Sequence, residues 1–505
     1  MMLRLPGRLL VCALIAAVSA CQARGGGSVL RIADLANPTS LNPLLAHDQE
    51  TIGNDLLVVQ TLTGLDEHNR EVPLLLARMP RISRDRRRIV YRLRRGVRFA
   101  DGVELTSADV AFTFRAIADT RNPVLSQDSY RRIASLTAPD RYTVIVNLKR
   151  PWNAAVNDLF AQSDFAFGIL PAHAFKSTAL QGADWENHAF GTGPYRVVQW
   201  RRGDRIELAA NPYFSPKPKI ERIELRMIPS ANTASLALRS GEVDIAPLDT
   251  PQAIALAMRA RGITVVRTPL NGTEWITVQT TAPGTSGAAV RRAIAGSIDM
   301  RSVAKTFGSV YPEAASFLPP VMRGFYDSSV RPYVRAALPA YAGELTLVIQ
   351  GENPLWTRIA TTVQQDLDRA GFRVTIKTFP TALFNAPDGP IRNGRFTLAI
   401  DGWLGGGDPE QSIVFTCAQA GVNGDNISRF CDPRFEALFA DQAVTRDSAR
   451  RRADFMQMQR IVHENAPVIP LYYMTWFDGV NRRVRGFARN MLQYPVAPET
   501  WSLAR

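Results

Sequence analysis

Alternating hydrophobic and polar positions mark the strands of this chain, and apolar positions recurring every three or four residues mark its helices. Ile89, Tyr91 and Leu93 alternate with Val90, Arg92 and Arg94, which predicts a strand. Arg95-Gly96 turns the chain, Val97 and Phe99 resume a strand, and Asp101-Gly102 turns it again, so a hairpin is expected. Thr106-Ser107-Ala108-Asp109 then has the form of a capping box, opening a helix on which Val110, Phe114 and Ile117 share a face. Further along, residues 345–349 read as a strand, 354–370 as a helix and 372–376 as another strand. Ile359, Val363 and Leu367 stripe that helix with apolar side chains suited to packing on a parallel sheet, and Gly371 supplies its stop. Residues 432–444 and 450–465 read as two more helices, the second stopped by Pro467, after which Pro470-Leu471-Tyr472-Tyr473 begins a strand.

The first residues carry a different pattern. Arg4 and Arg8 precede an apolar stretch over residues 9–18, about half of the ~20 residues that span a bilayer. Residues 1–20 therefore read as a secretory signal. Val18-Ser19-Ala20-Cys21 resembles the bacterial lipobox, so Cys21 is the expected site of acylation and membrane anchoring; the alternative is an ordinary signal cleaved after Ala20. Residues 21–28 include three consecutive glycines and form a flexible tether. Cys12 leaves with the signal, and Cys417 and Cys431 remain as a pair, expected as a disulfide in an oxidising compartment or else as two buried thiols.

At 505 residues, with 46% hydrophobic and 21% charged positions, the chain is globular and long enough for two or three domains. Its net charge of +14 raises the question of an anionic partner. The densest basic run, Arg84-Asp85-Arg86-Arg87-Arg88, sits in a turn between Ile82 and the strand at Ile89, and no nucleic-acid-binding signature accompanies it, so no nucleic-acid partner is expected. The five histidines, at 47, 68, 173, 188 and 463, have no metal-ligand spacing, so neither a metal nor another cofactor is expected, although a chelated metal as cargo stays open. There is no Gly-x-Ser-x-Gly elbow, His-Glu-x-x-His or Walker loop, which argues against an enzyme.

Several blocks together carry a family resemblance. The segment from Val90 through Asp101-Gly102 to Val110, then Gly191-Thr192-Gly193-Pro194-Tyr195, Asn211-Pro212-Tyr213-Phe214, Gly241-Glu242-Val243-Asp244-Ile245, Val290-Arg291-Arg292-Ala293-Ile294 and Ile298-Asp299 occur in the order found in the peptide/nickel-binding family of bacterial extracellular solute-binding proteins, family 5. The resemblance covers most of residues 29–505. It implies an α/β, two-lobed periplasmic-binding-protein-like fold of type II, cluster C, with an extra domain inserted in the first lobe. Residues 29–50, 187–268 and 480–505 would form lobe I, 51–186 its insert and 269–479 lobe II. It further implies a monomer that captures peptides or peptide-like solutes and delivers them to ABC permease subunits and their ATPases. A solute-sensing or chaperone-like lipoprotein of the same fold, or a carrier of a non-peptide ligand, is the alternative.

The segment expected to line the ligand is Trp403-Leu404-Gly405-Gly406-Gly407-Asp408-Pro409. In peptide-binding members the corresponding loop commonly carries an Asp that pairs with the ligand's α-ammonium group, as burying such a cation requires. Here Gly406 occupies that place. Either Asp408 takes over the role or the ligand lacks a free amine. By resemblance, His47 and Gln49 would contact ligand backbone, and Trp403, Tyr473 and Trp476 would provide aromatic walls, each of them alternatively a packing residue.

Overall fold

The structure is a computed structural model that describes residues 29–46, 49–124, 127–163, 168–182, 184–308, 310–334 and 343–504. The signal, Cys21, the tether and His47 lie outside the described residues.

A ten-stranded sheet organises the molecule. Its strands in chain order are β1 (Val29–Asp34), β2 (Tyr195–Arg201), β3 (Arg205–Ala210), β4 (Arg222–Met227), β5 (Ile245–Pro247), β6 (Ile263–Val278), β7 (Glu344–Gln350), β8 (Arg373–Phe379), β9 (Leu398–Leu404) and β10 (Val468–Asn481). They lie side by side in the order β8-β7-β9-β6-β10-β5-β1-β4-β3-β2. At one end β7 runs parallel to β8 and β9. At the other, β1 runs parallel to β4 and β5. The antiparallel pair β6 and β10 joins the two ends, and its ladder breaks register between Pro269 and Thr273. Residues 263–269 of β6 pair with 475–481 of β10, and residues 273–277 pair with 468–473.

A core lies at each end of the sheet, and a third and larger one joins Leu30 and Leu225 through Val146 of the inserted unit to Phe415 and Met458. Around the first half of β10, Ile276, Val278, Leu345, Leu347, Ile349, Leu398, Ile400, Ile469 and Leu471 are buried under the helix Pro354–Arg369. That helix presents Ile359, Val363 and Leu367 to the sheet, as their spacing predicts. Around the second half, Phe477 packs with Ala234, Leu238, Ala253 and Ile254 of the helices Ala231–Ser240 and Pro251–Arg259. Burial of this kind contributes roughly 25 cal/mol per Å² of apolar area removed from water.

A separate four-stranded sheet lies between β1 and β2 in sequence, in the order Arg81–Ile82, Arg88–Arg92, Thr143–Leu148, Ile133–Asp140. The expected hairpin of residues 89–93 with 97–99 does not form. Arg88–Arg92 pairs instead with Thr143–Leu148, a partner some fifty residues away that no local pattern announces. Residues 97–105 close on themselves, with Phe99 N donating to Val103 O and Val103 N to Asp101 Oδ1. The capping box is present: Ala108 N donates to Thr106 Oγ1 at 3.3 Å and Thr106 N to Asp109 Oδ2 at 2.8 Å, opening the helix Ser107–Ala118.

This four-stranded unit also reaches the second lobe. Trp152 Nε1 donates to Glu410 Oε2 at 2.8 Å, and Asn153 Nδ2 donates to the carbonyls of Gln442 and Thr445 at 2.6 and 2.9 Å. Gly193 explains its own block: a Cβ there would stand 2.5 Å from the carbonyl carbon of Val58, whose oxygen accepts the Gly193 amide at 2.8 Å.

Cys417 and Cys431 are joined in a disulfide, 14 residues apart. No helix among the described residues is long and apolar enough to cross a membrane. Closing a loop of this length is worth about 3 kcal/mol in the chain-entropy account. A Cys417→Ser/Cys431→Ser protein should lose roughly that much stability in the urea transition that unfolds the second lobe, while an unchanged midpoint would show the crosslink to be thermodynamically idle.

Candidate functional site

Parallel strands leave a crevice beyond their carboxyl ends, and this molecule has two such ends facing one another. β5 leads into Asp249, Thr250, Pro251 and Gln252, where Thr250 Oγ1 caps the helix Pro251–Arg259 by accepting from Ala253 N at 3.1 Å. β7 leads into Glu352, Asn353, Pro354 and Leu355, where Asn353 Oδ1 caps the helix Pro354–Arg369 by accepting from the amides of Leu355 and Trp356. Both helices begin with proline, whose fixed φ suits the first turn and whose missing N–H is no loss there. Between these two loops lies a cleft of about 750 Å³, floored by Leu270 and Glu274 of β6 and by Tyr472, Met474, Thr475 and Trp476 of β10. One wall thus follows β5, the other follows β7, and the floor comes from β6 and β10.

The cleft is acidic although the chain is basic overall. Asp249, Glu274 and Glu352 line it against one guanidinium, Arg358. Burial, with Asp401 adding to it, pushes Glu274 up to about 8. Burial also raises Asp249. Glu352 is held below the usual carboxylate range by hydrogen bonds from Thr381. Tyr311 stacks on Tyr472 with ring centroids 4.8 Å apart, and burial raises both phenols, Tyr311 to about 12.

The residues expected from sequence are spread over several surroundings. Trp476 lines the cleft beside Gln493, and its Nε1 is buried without a hydrogen-bond partner among the described residues. Trp403 stands opposite Thr273 in the ladder between β9 and β6, so it shares Thr273's face of the sheet, opposite to that of Glu274, and packs against the core. Gly405 N donates to Asn271 O at 2.7 Å and Asn271 Nδ2 to Gly406 O at 2.7 Å, which ties the glycine loop to the irregular segment of β6.

Asp408 is committed elsewhere. Arg451 donates to both of its oxygens, at 2.7 and 2.9 Å, and Glu410 N donates to Oδ1 at 3.0 Å. Its carboxylate borders a second cavity, of about 590 Å³, with Glu71, Asn157 and Arg323. Tyr473 likewise faces away from the larger cleft; its hydroxyl accepts the amides of Ala315 and Ser316 at 3.2 and 3.3 Å. Gln49 begins the helix Gln49–Asp55, and nothing is described of its side chain.

Sequence reasoning passed over Glu274, Asp249, Tyr311 and Tyr472. For Glu274 a signal exists: it is the one charged residue in the run Leu270-Asn271-Gly272-Thr273-Glu274-Trp275-Ile276-Thr277-Val278. A charge inside a strand buried on both faces is unusual unless something pairs with it.

Comparison with known proteins places these features in a family. A family model described as "Bacterial extracellular solute-binding proteins, family 5 Middle" matches residues 71–424. The chain is 28% identical over 436 residues to the di/tripeptide-binding protein 2 of Pseudomonas aeruginosa, covering 79% of this chain and 80% of that one. Among solved structures it is similar to the ABC transporter substrate-binding protein CtaP of Listeria monocytogenes, with a TM-score of 0.84 at 22% identity over 95% of this chain and 100% of that one. It is also similar to DppA of Helicobacter pylori in complex with the peptide STSA, with a TM-score of 0.76 at 22% identity, 95% of this chain and 98% of that one.

The Asp408–Arg451 pair is nearly closed to water, with side-chain exposures of 6% and 14%. Removing one member of such a pair leaves an uncompensated charge and costs about 3–5 kcal/mol. Arg451→Met should therefore lower the stability of the second lobe by that order in a denaturant titration, and a loss under about 1 kcal/mol would mean that water already solvates Asp408.

Proposed function

The chain belongs to the bacterial extracellular solute-binding proteins of family 5, and we propose that it captures peptides or peptide-like solutes in the cleft between its lobes and delivers them to an ABC permease. Proteins of this family are non-enzymatic binding components of ABC transporters, so the bound solute is released unaltered. The observation that supports the reading is the cleft itself: its walls follow β5 and β7, which lie on either side of the central pair β6 and β10, and that pair forms its floor. A cavity of about 750 Å³ suits a solute of a few residues, within the ~300–1,000 Å³ usual for small-ligand sites. The names of the P. aeruginosa and H. pylori relatives, which bind di/tripeptides and a tetrapeptide, support the peptide class.

The lobes in this reading are residues 29–50, 187–268 and 480–505 against 269–479, with 51–186 inserted in the first. The outgoing crossing falls at the register break after Pro269. For the return crossing we propose 474–475 as the hinge, a position supported by β10 residues up to Tyr473 pairing with residues 273–277 of β6 and those from Thr475 with residues 263–269. Rotation there closes the walls on the ligand, expels water and strengthens each polar contact inside. A closed form favoured only by ligand lets a permease distinguish loaded from empty protein.

Acylation of Cys21 would hold the protein at the membrane surface, in reach of its permease, as a monomer on a tether of residues 21–28.

Two outcomes are expected. Protein purified without denaturation should carry a small solute visible by native mass spectrometry, and adding back the stripped solute should reduce the radius of gyration in solution scattering; a chain that retains nothing and keeps one scattering profile with every peptide offered would end the reading. A Cys21→Ala protein should move from the membrane fraction to the soluble fraction and take up no labelled palmitate, whereas continued membrane retention would exclude the anchor.

A further inference from the structure

Among the described residues Glu274 has no partner suited to its charge. Its Oε2 is buried and takes no hydrogen bond from any described residue. Across the ladders it faces Gly402 of β9 and Tyr472 of β10, neither of which neutralises it. The space for its carboxylate exists only because residue 402 is glycine: a Cβ there would stand 2.7 Å from Glu274 Oε2 and 2.8 Å from Met474 Cε. A carboxylate buried without a counter-charge is held in its protonated form until a cation joins it. Such a group kept in a ligand cleft is a candidate for function.

Its surroundings select the charge of the missing partner. Asp249 and Glu352 add carboxylates to the same cleft, and Arg358 is the one cationic side chain among its lining residues. The rings of Tyr311, Tyr472 and Trp476 border the same space, and aromatic faces attract cations. The other carboxylate on hand, Asp408, is already satisfied by Arg451 on the far side of the strands.

We propose that Glu274 is the specificity-determining anchor of the cleft, forming an ion pair with a protonated amine of the bound solute between the rings of Tyr311, Tyr472 and Trp476. This deepens the reading given above and rests on it: the solute class is narrowed to peptides or peptide-like compounds that present a free ammonium group near the hinge strands.

The protonation of Glu274 gives the proposal a second signature. Burial and Asp401 hold it up to about 8, so without a cation beside it the group is largely protonated at neutral pH. The groups around it are Tyr472 and Met474 from β10, Gly402 from β9 and Tyr311, with Asp401 behind the sheet and Asp249, Glu352 and Arg358 lining the same cleft. None of the acids among them titrates into a cation that could replace the ligand. An ammonium group arriving beside Glu274 stabilises the ionised form, so binding at neutral pH releases a proton. Affinity then rises with pH up to about 8 and falls beyond it as the ligand's own α-amine, with a pKa of about 7.7–8.0, loses its charge.

The test uses the whole exported chain and a library of di- and tripeptides, each offered with a free and with an N-acetylated amino terminus, in isothermal titration calorimetry. Wild-type protein is expected to bind free-amine members at least about tenfold more tightly than their acetylated forms, roughly 1.4 kcal/mol. It should also release protons on binding, read from buffers of different ionisation enthalpy. Glu274→Gln, which keeps shape and removes charge, should erase both the preference and the proton release. Gly402→Ala, which crowds the carboxylate, should weaken the preference in the same direction. Equal affinity of wild-type protein for free and acetylated members, or a preference that survives in Glu274→Gln, would overturn the anchor and leave the carrier reading standing. Failure of every peptide to bind would overturn the peptide reading and the anchor together.

Discussion

Every backbone amide and carbonyl of a buried strand must find a partner, and this requirement governs how two lobes can share one sheet. β6 and β10 satisfy it by pairing along nearly their whole length, so the lobes are joined by a ladder of hydrogen bonds and not by loose linkers. A continuous ladder twists but resists sharp bending. The register break after Pro269 interrupts it, and it is there that the backbone turns to other partners: Asn271 reaches the glycine loop through both its carbonyl and its side chain. A proline, which has no N–H to donate, stands at the start of this segment, where a ladder bond is already missing. Two cores flank the break, and a larger third one runs from Leu30 and Leu225 through Val146 of the inserted unit to Phe415, Phe455 and Met458, so the irregular segment lies among well-packed surroundings.

Much of this architecture is legible in the sequence because it rests on local periodicity. The helix Pro354–Arg369 follows from its stripe of Ile359, Val363 and Leu367, and the capping box of Thr106 and Asp109 fixes the start of Ser107–Ala118. Partners distant in sequence are not legible in this way. Residues 97–99 resemble the second strand of a hairpin, yet Arg88–Arg92 finds Thr143–Leu148, because a strand specifies its buried face and not its neighbour.

The site divides along the same line. Composition marks Trp403, Tyr473 and Trp476 as aromatic candidates, but the face each occupies depends on the register of β6, β9 and β10. Trp476 consequently reaches the cleft while Trp403 and Tyr473 turn to the packed side. Asp408 is bound by Arg451, 43 positions away, a pairing that no spacing reveals. Net charge is equally silent about the site: +14 describes the whole chain, whereas the cleft gathers three carboxylates around one guanidinium. Surface arginines screened by salt act over about 8 Å at physiological ionic strength, so the excess positive charge does not determine the potential inside the cleft.

The contact between the inserted unit and the second lobe changes how the molecule works as a mechanical object. Trp152 and Asn153 grip Glu410, Gln442 and Thr445 at a place distinct from the strands that join the lobes. Any motion that preserves those bonds has two fixed attachments, and a body held at two points can turn only about the line through them. The inserted unit would then serve as the fulcrum of the proposed closure, with the displacement largest at the points farthest from that line.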